Sequence, residues 1–266
     1  MNILQFGCGN MGGAMLAGWL AGGISPQSVT LVDPFLPEPP AGVLLLREAP
    51  SGARPADVVV LGFKPQQLAE AAGAVGPHVG PGTLLLSILA GVDLATLRGL
   101  FPDAAGTVRV MPNLAAALGK SAIGLAGEVS DGARLLTEQL MAPLGHAEWL
   151  ENEGQMDLVT ALAGSGPAFV YRMIDALAGG AAALGLPREH ADRLALSMVE
   201  GAAALAAASD HPPAELARRV ASPGGTTQAG LDVLDAGGLF AALIQDTLRA
   251  ARDRGAQMTE QARAGR

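Results

Sequence analysis

The chain has 266 residues, enough for two domains with separate cores, and half of them are hydrophobic although aromatics supply only 3%, so packing has to rely on small and aliphatic side chains. A formal charge of −8, with Lys64 and Lys120 the only lysines and no basic stripe, argues against a nucleic-acid partner. Cys8 is the single cysteine and the four histidines are scattered, which excludes an intrachain disulfide and a cysteine-cluster metal site and leaves no metal-ligand spacing; without a leader-like start or a membrane-length apolar run, a soluble cytoplasmic protein is expected.

Residues 3–6, 29–32, 43–46, 58–61, 84–89 and 107–111 have the pattern of short buried strands. Helices are expected between them at 11–20, 66–75 and 94–100, and the proline-rich stretch 34–40 must be loop. Strands apolar on both faces suit a parallel sheet covered by helices. Residues 122–125 and 147–150 add two strands around a helix near 132–141. After about residue 152 the strand signal stops. Helices are expected at 155–163, 167–184, 188–208, 213–220, 228–236 and 239–262, with the polar stretch from Arg249 fraying. The predicted organisation is an α/β domain over 1–152 and an all-α domain over 153–266.

Gly7-Cys8-Gly9-Asn10-Met11-Gly12 follows the first strand and opens the first helix, the setting a G-x-G-x-x-G dinucleotide fingerprint requires. Gly7 permits the tight turn, Gly9 lets backbone approach a pyrophosphate, and Gly12 lets the helix pack on the sheet. These residues point to a Rossmann-type domain and a nicotinamide dinucleotide. Asp33 ends the second strand, at the distance expected for the acid that holds the adenine ribose, and its charge would favour NADH over NADPH. A turn-forming aspartate before Pro34 is the alternative. Cys8 suits a small space-filler better than a nucleophile. Lys64-Pro65 and Asn113 end strands at the same sheet edge. Lys64 anchors phosphate or is simply solvated, and Asn113 bonds the nicotinamide amide or substrate, or forms a turn.

Residues 222–227, Ser-Pro-Gly-Gly-Thr-Thr, precede an apolar-periodic stretch. Gly224 and Gly225 allow successive N–H groups to turn inward, making a small anion cradle at a helix start, with hydroxyls from Ser222, Thr226 and Thr227. An ordinary capped helix N-terminus has the same composition.

Residues 7–12, Lys64-Pro65, Met111-Pro112-Asn113, Gly164-Ser165-Gly166-Pro167-Ala168 and 222–227 together resemble the pyrroline-5-carboxylate reductase family, in order and spacing along nearly the whole chain. The resemblance implies NAD(P)H-dependent reduction of 1-pyrroline-5-carboxylate to L-proline and a helical C-terminal domain that interlocks with a second subunit as a homodimer or larger homo-oligomer. It makes Ser222, Gly224, Gly225, Thr226 and Thr227 the substrate residues, with Thr227 nearest the ring nitrogen as the catalytic hydroxyl. The chain departs from the family in Leu114-Ala115 after Asn113, Gly62-Phe63 before Lys64, and Phe169 in place of a tyrosine. β-Hydroxyacid dehydrogenases share the two-domain plan but resemble one another in a catalytic lysine of the second domain, and no lysine follows Lys120 here. A non-catalytic dinucleotide sensor would have no reason to keep residues 222–227.

Overall fold

The computed structural model describes residues 1–52 and 55–264. Eight strands, β1 (Ile3–Phe6), β2 (Val29–Val32), β3 (Leu44–Leu46), β4 (Val58–Leu61), β5 (Leu84–Ser87), β6 (Gly106–Met111), β7 (Ser121–Ala126) and β8 (Gly145–Trp149), form one sheet in the order β3-β2-β1-β4-β5-β6-β7-β8. Neighbouring side chains on one strand face opposite layers. Ile3, Val58, Val60, Leu84 and Leu86 join one core with Met15, Leu16 and Trp19; Leu4, Val59, Leu61 and Leu85 join the other with Leu68, Val75 and Leu97. Burial on both faces explains why these strands are continuously apolar. Helix α1 (Asn10–Ala21) packs into the first core, where the Trp19 indole N–H donates to the Leu140 carbonyl at 2.7 Å. Helices α2 (Leu68–Val75) and α3 (Leu94–Leu100) pack into the second core. Asp93 caps α3 by accepting the Thr96 N–H at 2.8 Å. Ser130 does the same for α4 (Asp131–Met141) through the Ala133 N–H.

The sheet is not wholly parallel, as the apolar strands alone suggest. β7 runs antiparallel to β6, with Met111 opposite Gly124, and β8 follows β7 in parallel. Only residues 112–120 separate β6 from β7. A parallel crossover needs roughly a dozen residues or more, so the chain must reverse. A short helical turn over Leu114–Leu118, ended by Gly119 at φ 67°, makes that reversal.

The chain divides into two compact units. One holds residues 1–165 and those from Arg249 on; the other spans Gly166–Leu248. The boundary therefore lies thirteen residues beyond the expected 152/153 break, measured from 152 to 165. The cause is local bonding. Glu153 pairs with the buried Arg109 of β6 at 2.7 Å and accepts the Leu94 N–H, while Met156 packs with Met111 and Ala126. Helix α5 (Met156–Val159) and the wide turn Thr160–Gly164 thus complete the first unit.

The second unit contains α6 (Gly166–Ala183), α7 (Arg188–Ala207), α8 (Pro213–Val220), α9 (Thr226–Leu234) and the start of α10 (Leu239–Ala264). α6 and α7 meet through Ala178, Ala191 and Ala195, with Ile174 and Leu186 alongside. Many large apolar side chains stay outside, among them Tyr171, Leu177, Leu194, Met198 and Leu243. The segment from Arg249 does not fray as its polarity suggests. It remains helical to Ala264, Gly255 lies against Asp157, and Thr259 lies against Gly91 within 3.5 Å of where a methyl there would stand. Among the described residues no helix is long and apolar enough to cross a membrane.

Candidate active site

The C-terminal ends of β1, β2 and β4 open into a cleft of about 900 Å³ in the first unit. Gly7, Gly9, Asn10, Met11, Asp33 and Lys64 all line it, so most of the residues assigned to a dinucleotide from sequence come together there. The three fingerprint glycines have different physical jobs. Gly7 adopts φ +85°, and a Cβ there would stand 2.6 Å from the Phe63 nitrogen. Gly12 faces Gln5 and the Gly7 carbonyl, each under 3.0 Å from where its Cβ would be. Gly9 has nothing within 4 Å and supplies no side-chain cap to α1. The first-turn N–H groups of α1 are therefore open toward unfilled space, an arrangement that fits a pyrophosphate.

Two residues outside the motif hold this loop. The Gln5 amide, fully buried in β1, donates to the Gly7 carbonyl at 2.9 Å. Gly62 approaches so closely that a Cβ would sit 2.7 Å from that same carbonyl, which gives a reason for glycine before Phe63. No motif marks either role: the Gln5 bond is made within the end of β1 itself, and the close approach of Gly62 depends on β1 and β4 being neighbours.

Asp33 is placed at the end of β2 as expected, but its carboxylate is engaged by backbone. Oδ2 accepts the Cys8 N–H at 2.7 Å; Oδ1 accepts the Phe35 and Leu36 N–H groups at 2.8 and 2.9 Å. Burial, and secondarily the Asp33 charge, pushes the Cys8 thiol above its ordinary range, so it stays protonated and suits a space-filler. Lys64 is exposed, and Pro65 begins a short helical turn stabilised by Gln67 Oε1 accepting the Lys64 N–H. Arg47 reaches the loop after β2 and donates to the carbonyls of Asp33, Leu36 and Pro37. Its position just after the edge strand β3 carries no local signature; only the β2–β3 pairing brings it there.

Asn113 does not line that cleft. Its Oδ1 accepts the Ala115 N–H and its Nδ2 donates to the Ala163 carbonyl, both at 3.0 Å, while its own N–H donates to Ser121 Oγ. The side chain therefore caps the turn after β6 and ties it to the wide turn Thr160–Gly164. The turn-forming alternative for Asn113 accounts for these bonds, with one amide proton left for a ligand.

In the second unit, residues 222–227 form a turn into α9. Gly224 adopts φ +72°, and Gly225 is the N-cap without a side-chain bond. A Cβ on Gly225 would overlap Ser222 Oγ. The turn closes with the Gly225 N–H donating to the Ser222 carbonyl at 2.9 Å. Among the described residues no side chain caps the first turn of α9, and Thr226 and Thr227 begin the helix there. Open N–H groups beside hydroxyls at a helix start can receive a carboxylate.

The model for pyrroline-5-carboxylate reductase dimerisation matches residues 153–258, and that for coenzyme F420-dependent NADP oxidoreductases matches residues 2–91. A pyrroline-5-carboxylate reductase of Pseudomonas aeruginosa is 38% identical over 97% of both chains. The structure of one from Coxiella burnetii superposes with a TM-score of 0.90 at 31% identity, covering 97% of this chain and 98% of that one. The Plasmodium falciparum pyrroline carboxylate reductase, solved with NADP bound, gives 0.82 at 25% identity and the same coverage. On these relationships, and on a dinucleotide cleft joined in one chain to an uncapped Gly-Gly-Thr-Thr helix start, the chain belongs to the pyrroline-5-carboxylate reductase family.

Proposed function

We propose that the protein reduces 1-pyrroline-5-carboxylate to L-proline with a reduced nicotinamide dinucleotide, the last step of proline biosynthesis. The observation that carries this reading is the family relationship over nearly the whole chain, together with the open helix start at residues 222–227, which a generic dinucleotide-binding domain does not need.

The chemistry asks little of the protein. A protonated cyclic imine is already electrophilic at its ring carbon. Gly9 and the first turn of α1 would hold the pyrophosphate, with Lys64 at the rim of the same cleft. Reduced nicotinamide, when bound, supplies the hydride. The N–H groups of Thr226 and Thr227 and the hydroxyls nearby would fix the substrate carboxylate at the positive end of α9. Residues 222–227 contain no acid, base or imidazole. We therefore assign Thr227 Oγ1, or a water it orients, to the ring nitrogen: it keeps the imine protonated, and the nitrogen retains that proton as the secondary amine forms.

Which dinucleotide is preferred turns on Asp33. A carboxylate free to accept ribose hydroxyls would favour NADH; three backbone donors on Asp33 leave it little of that capacity. We also infer a homodimer or a larger assembly built from it. The exposed apolar side chains of α6, α7 and α10 support that reading.

The test is a spectrophotometric assay of NADH and NADPH oxidation with 1-pyrroline-5-carboxylate and analysis of the product. Imine-dependent oxidation yielding L-proline is expected. Purified protein that turns over neither dinucleotide with the imine would overturn the assignment.

A further inference from the structure

β2 and β3 end side by side, with Val32 opposite Leu46, and the Asp33 N–H donates to the Leu46 carbonyl. Parallel pairing thus sets Arg47 beside Asp33. The Arg47 guanidinium donates to three carbonyls of the loop after β2. A guanidinium has five N–H groups. The Nε–H is not among the donors those carbonyls take.

Asp33 is in the opposite condition. Two carboxylate oxygens offer about four acceptor positions, and backbone N–H groups take three. Its carboxylate is set against those peptide dipoles. It cannot accept a pair of ribose hydroxyls without giving up a bond that closes the β2 turn onto the fingerprint loop.

A second cleft, of about 560 Å³, opens beside Arg47 and shares Phe6, Val32 and Ala74 with the fingerprint cleft. Ser51 and the buried His78 line it, and Glu48, which is exposed, is the carboxylate on its wall. Burial lowers the His78 imidazole below its ordinary range, so Arg47 is the cation facing this space among the described residues. A dinucleotide whose pyrophosphate lies at the start of α1 carries its adenosine ribose to the end of β2, where an acid suits a 2′-hydroxyl and an arginine suits a 2′-phosphate.

We propose that Arg47 is the specificity-determining residue for the 2′ substituent, that the cleft beside it takes a 2′-phosphate, and that NADPH is therefore the preferred donor. This rests on reading the fingerprint cleft as the dinucleotide site. Asp33 is then a positioning residue for the fingerprint loop. Arg47 differs from a lysine here because its fork can keep the loop carbonyls and still offer N–H groups to a phosphate.

Calorimetric titration with NADP⁺ and NAD⁺ tests this without the imine. The wild type should bind NADP⁺ more tightly. Arg47→Gln should lower the NADP⁺/NAD⁺ affinity ratio by roughly ten- to a hundredfold, the range for hydrogen bonds to a charged group, while NAD⁺ affinity changes little. Arg47→Lys, which keeps the charge and loses the fork, should fall between them. A ratio that is unchanged in Arg47→Gln would overturn the proposal, whether both affinities drop together, as a purely structural role predicts, or neither does. A wild type that prefers NAD⁺ also overturns it. If neither nucleotide binds, the proposal falls together with the cofactor site. If NADP⁺ binds through Arg47 but the imine is not reduced, the proposed activity fails and this assignment stands.

Discussion

Two glycines of one loop should fail in different ways when given a methyl. Gly7 sits at φ +85°, and an added Cβ would be 2.6 Å from the Phe63 nitrogen and 2.8 Å from the Gly62 carbonyl carbon. Both are backbone atoms at the end of β4, so no side chain can rotate away. The unfavourable backbone conformation costs about 1–3 kcal/mol. Overpacking typically adds about 1–3 kcal/mol. With roughly 2–4 °C per kcal/mol for a unit of this size, Gly7→Ala should lower the melting temperature by the order of 10 °C. Gly9 has φ −69° and ψ −168°, which any residue adopts, and nothing lies within 4 Å of its Cβ position. Alanine is a poorer N-cap than glycine but restricts the unfolded chain, and the two effects nearly offset, leaving a change within about 1 kcal/mol. The methyl would occupy the space assigned to phosphate. Loss of one N–H contact to a charged phosphate costs about 1.5–3 kcal/mol, or roughly ten- to a hundredfold in affinity. Thermal unfolding and calorimetric NADP⁺ titration separate the two effects. Gly9→Ala is expected to melt near the wild type and bind poorly. If it binds NADP⁺ as tightly as the wild type, the phosphates do not lie at this helix start.

Thr227→Ala should reduce kcat/KM with the imine by roughly ten- to a hundredfold and leave NADP⁺ affinity unchanged, because its hydroxyl is assigned to substrate; undiminished efficiency removes Thr227 from the site. Light scattering should show a dimer or larger assembly, and a fully active monomer at assay concentration would refute the packing argument for α6, α7 and α10. Burial holds the His78 imidazole below its ordinary value, so its neutral form matches the unfolded chain only above about pH 6.5. As the pH falls below that, the unfolded chain binds a proton the folded one resists, and stability is lost through the folded value. The melting temperature should therefore drop more steeply between about pH 7 and 5 in the wild type than in His78→Phe; parallel curves would exclude His78 as the cause.

The first six strands and the fingerprint are legible because burial on both faces leaves continuous apolar runs in all of them but the edge strand β3, which is apolar though partly exposed, and because Gly7, Gly9 and Gly12 are tied to a strand and a helix start. Strand direction is less legible. An apolar run has the same composition in either direction, and the β6–β7 reversal is encoded in the brevity of residues 112–120 rather than in the strands. The polar segment from Arg249 looks like a fraying end, since its contacts at Gly91 and Asp157 lie more than ninety residues away along the chain. Asp33, Arg47 and Asn113 show a related limit. Residue type and position place Asp33 and Asn113 at the correct strand ends, while Arg47 carries no such mark. Which atoms are already used by the fold depends on neighbouring strands and turns, so whether a carboxylate or amide remains free for a ligand cannot be read from spacing.

The two units bury apolar surface by different means, and the difference bears on how the site works. The first has a large side chain on each face of nearly every central strand. The second buries mainly Ala178, Ala191 and Ala195, while Tyr171, Leu177, Leu194, Met198 and Leu243 remain exposed. Fully burying one such Leu or Met contributes about 1.5–3 kcal/mol, so a few contacts with a second copy would equal the whole stability of a marginal domain. α9 belongs to this unit, and Val233 and Leu234 near its end are themselves exposed. The helix start proposed to hold the substrate carboxylate stands at the other end of the same nine-residue helix. Fixed N–H donors stabilise charge only if their orientation is held before the ligand arrives. In the proposed dimer, a second copy packed against Val233 and Leu234 would also set the orientation of the cradle, so a variant that dissociates is expected to lose turnover as well as stability.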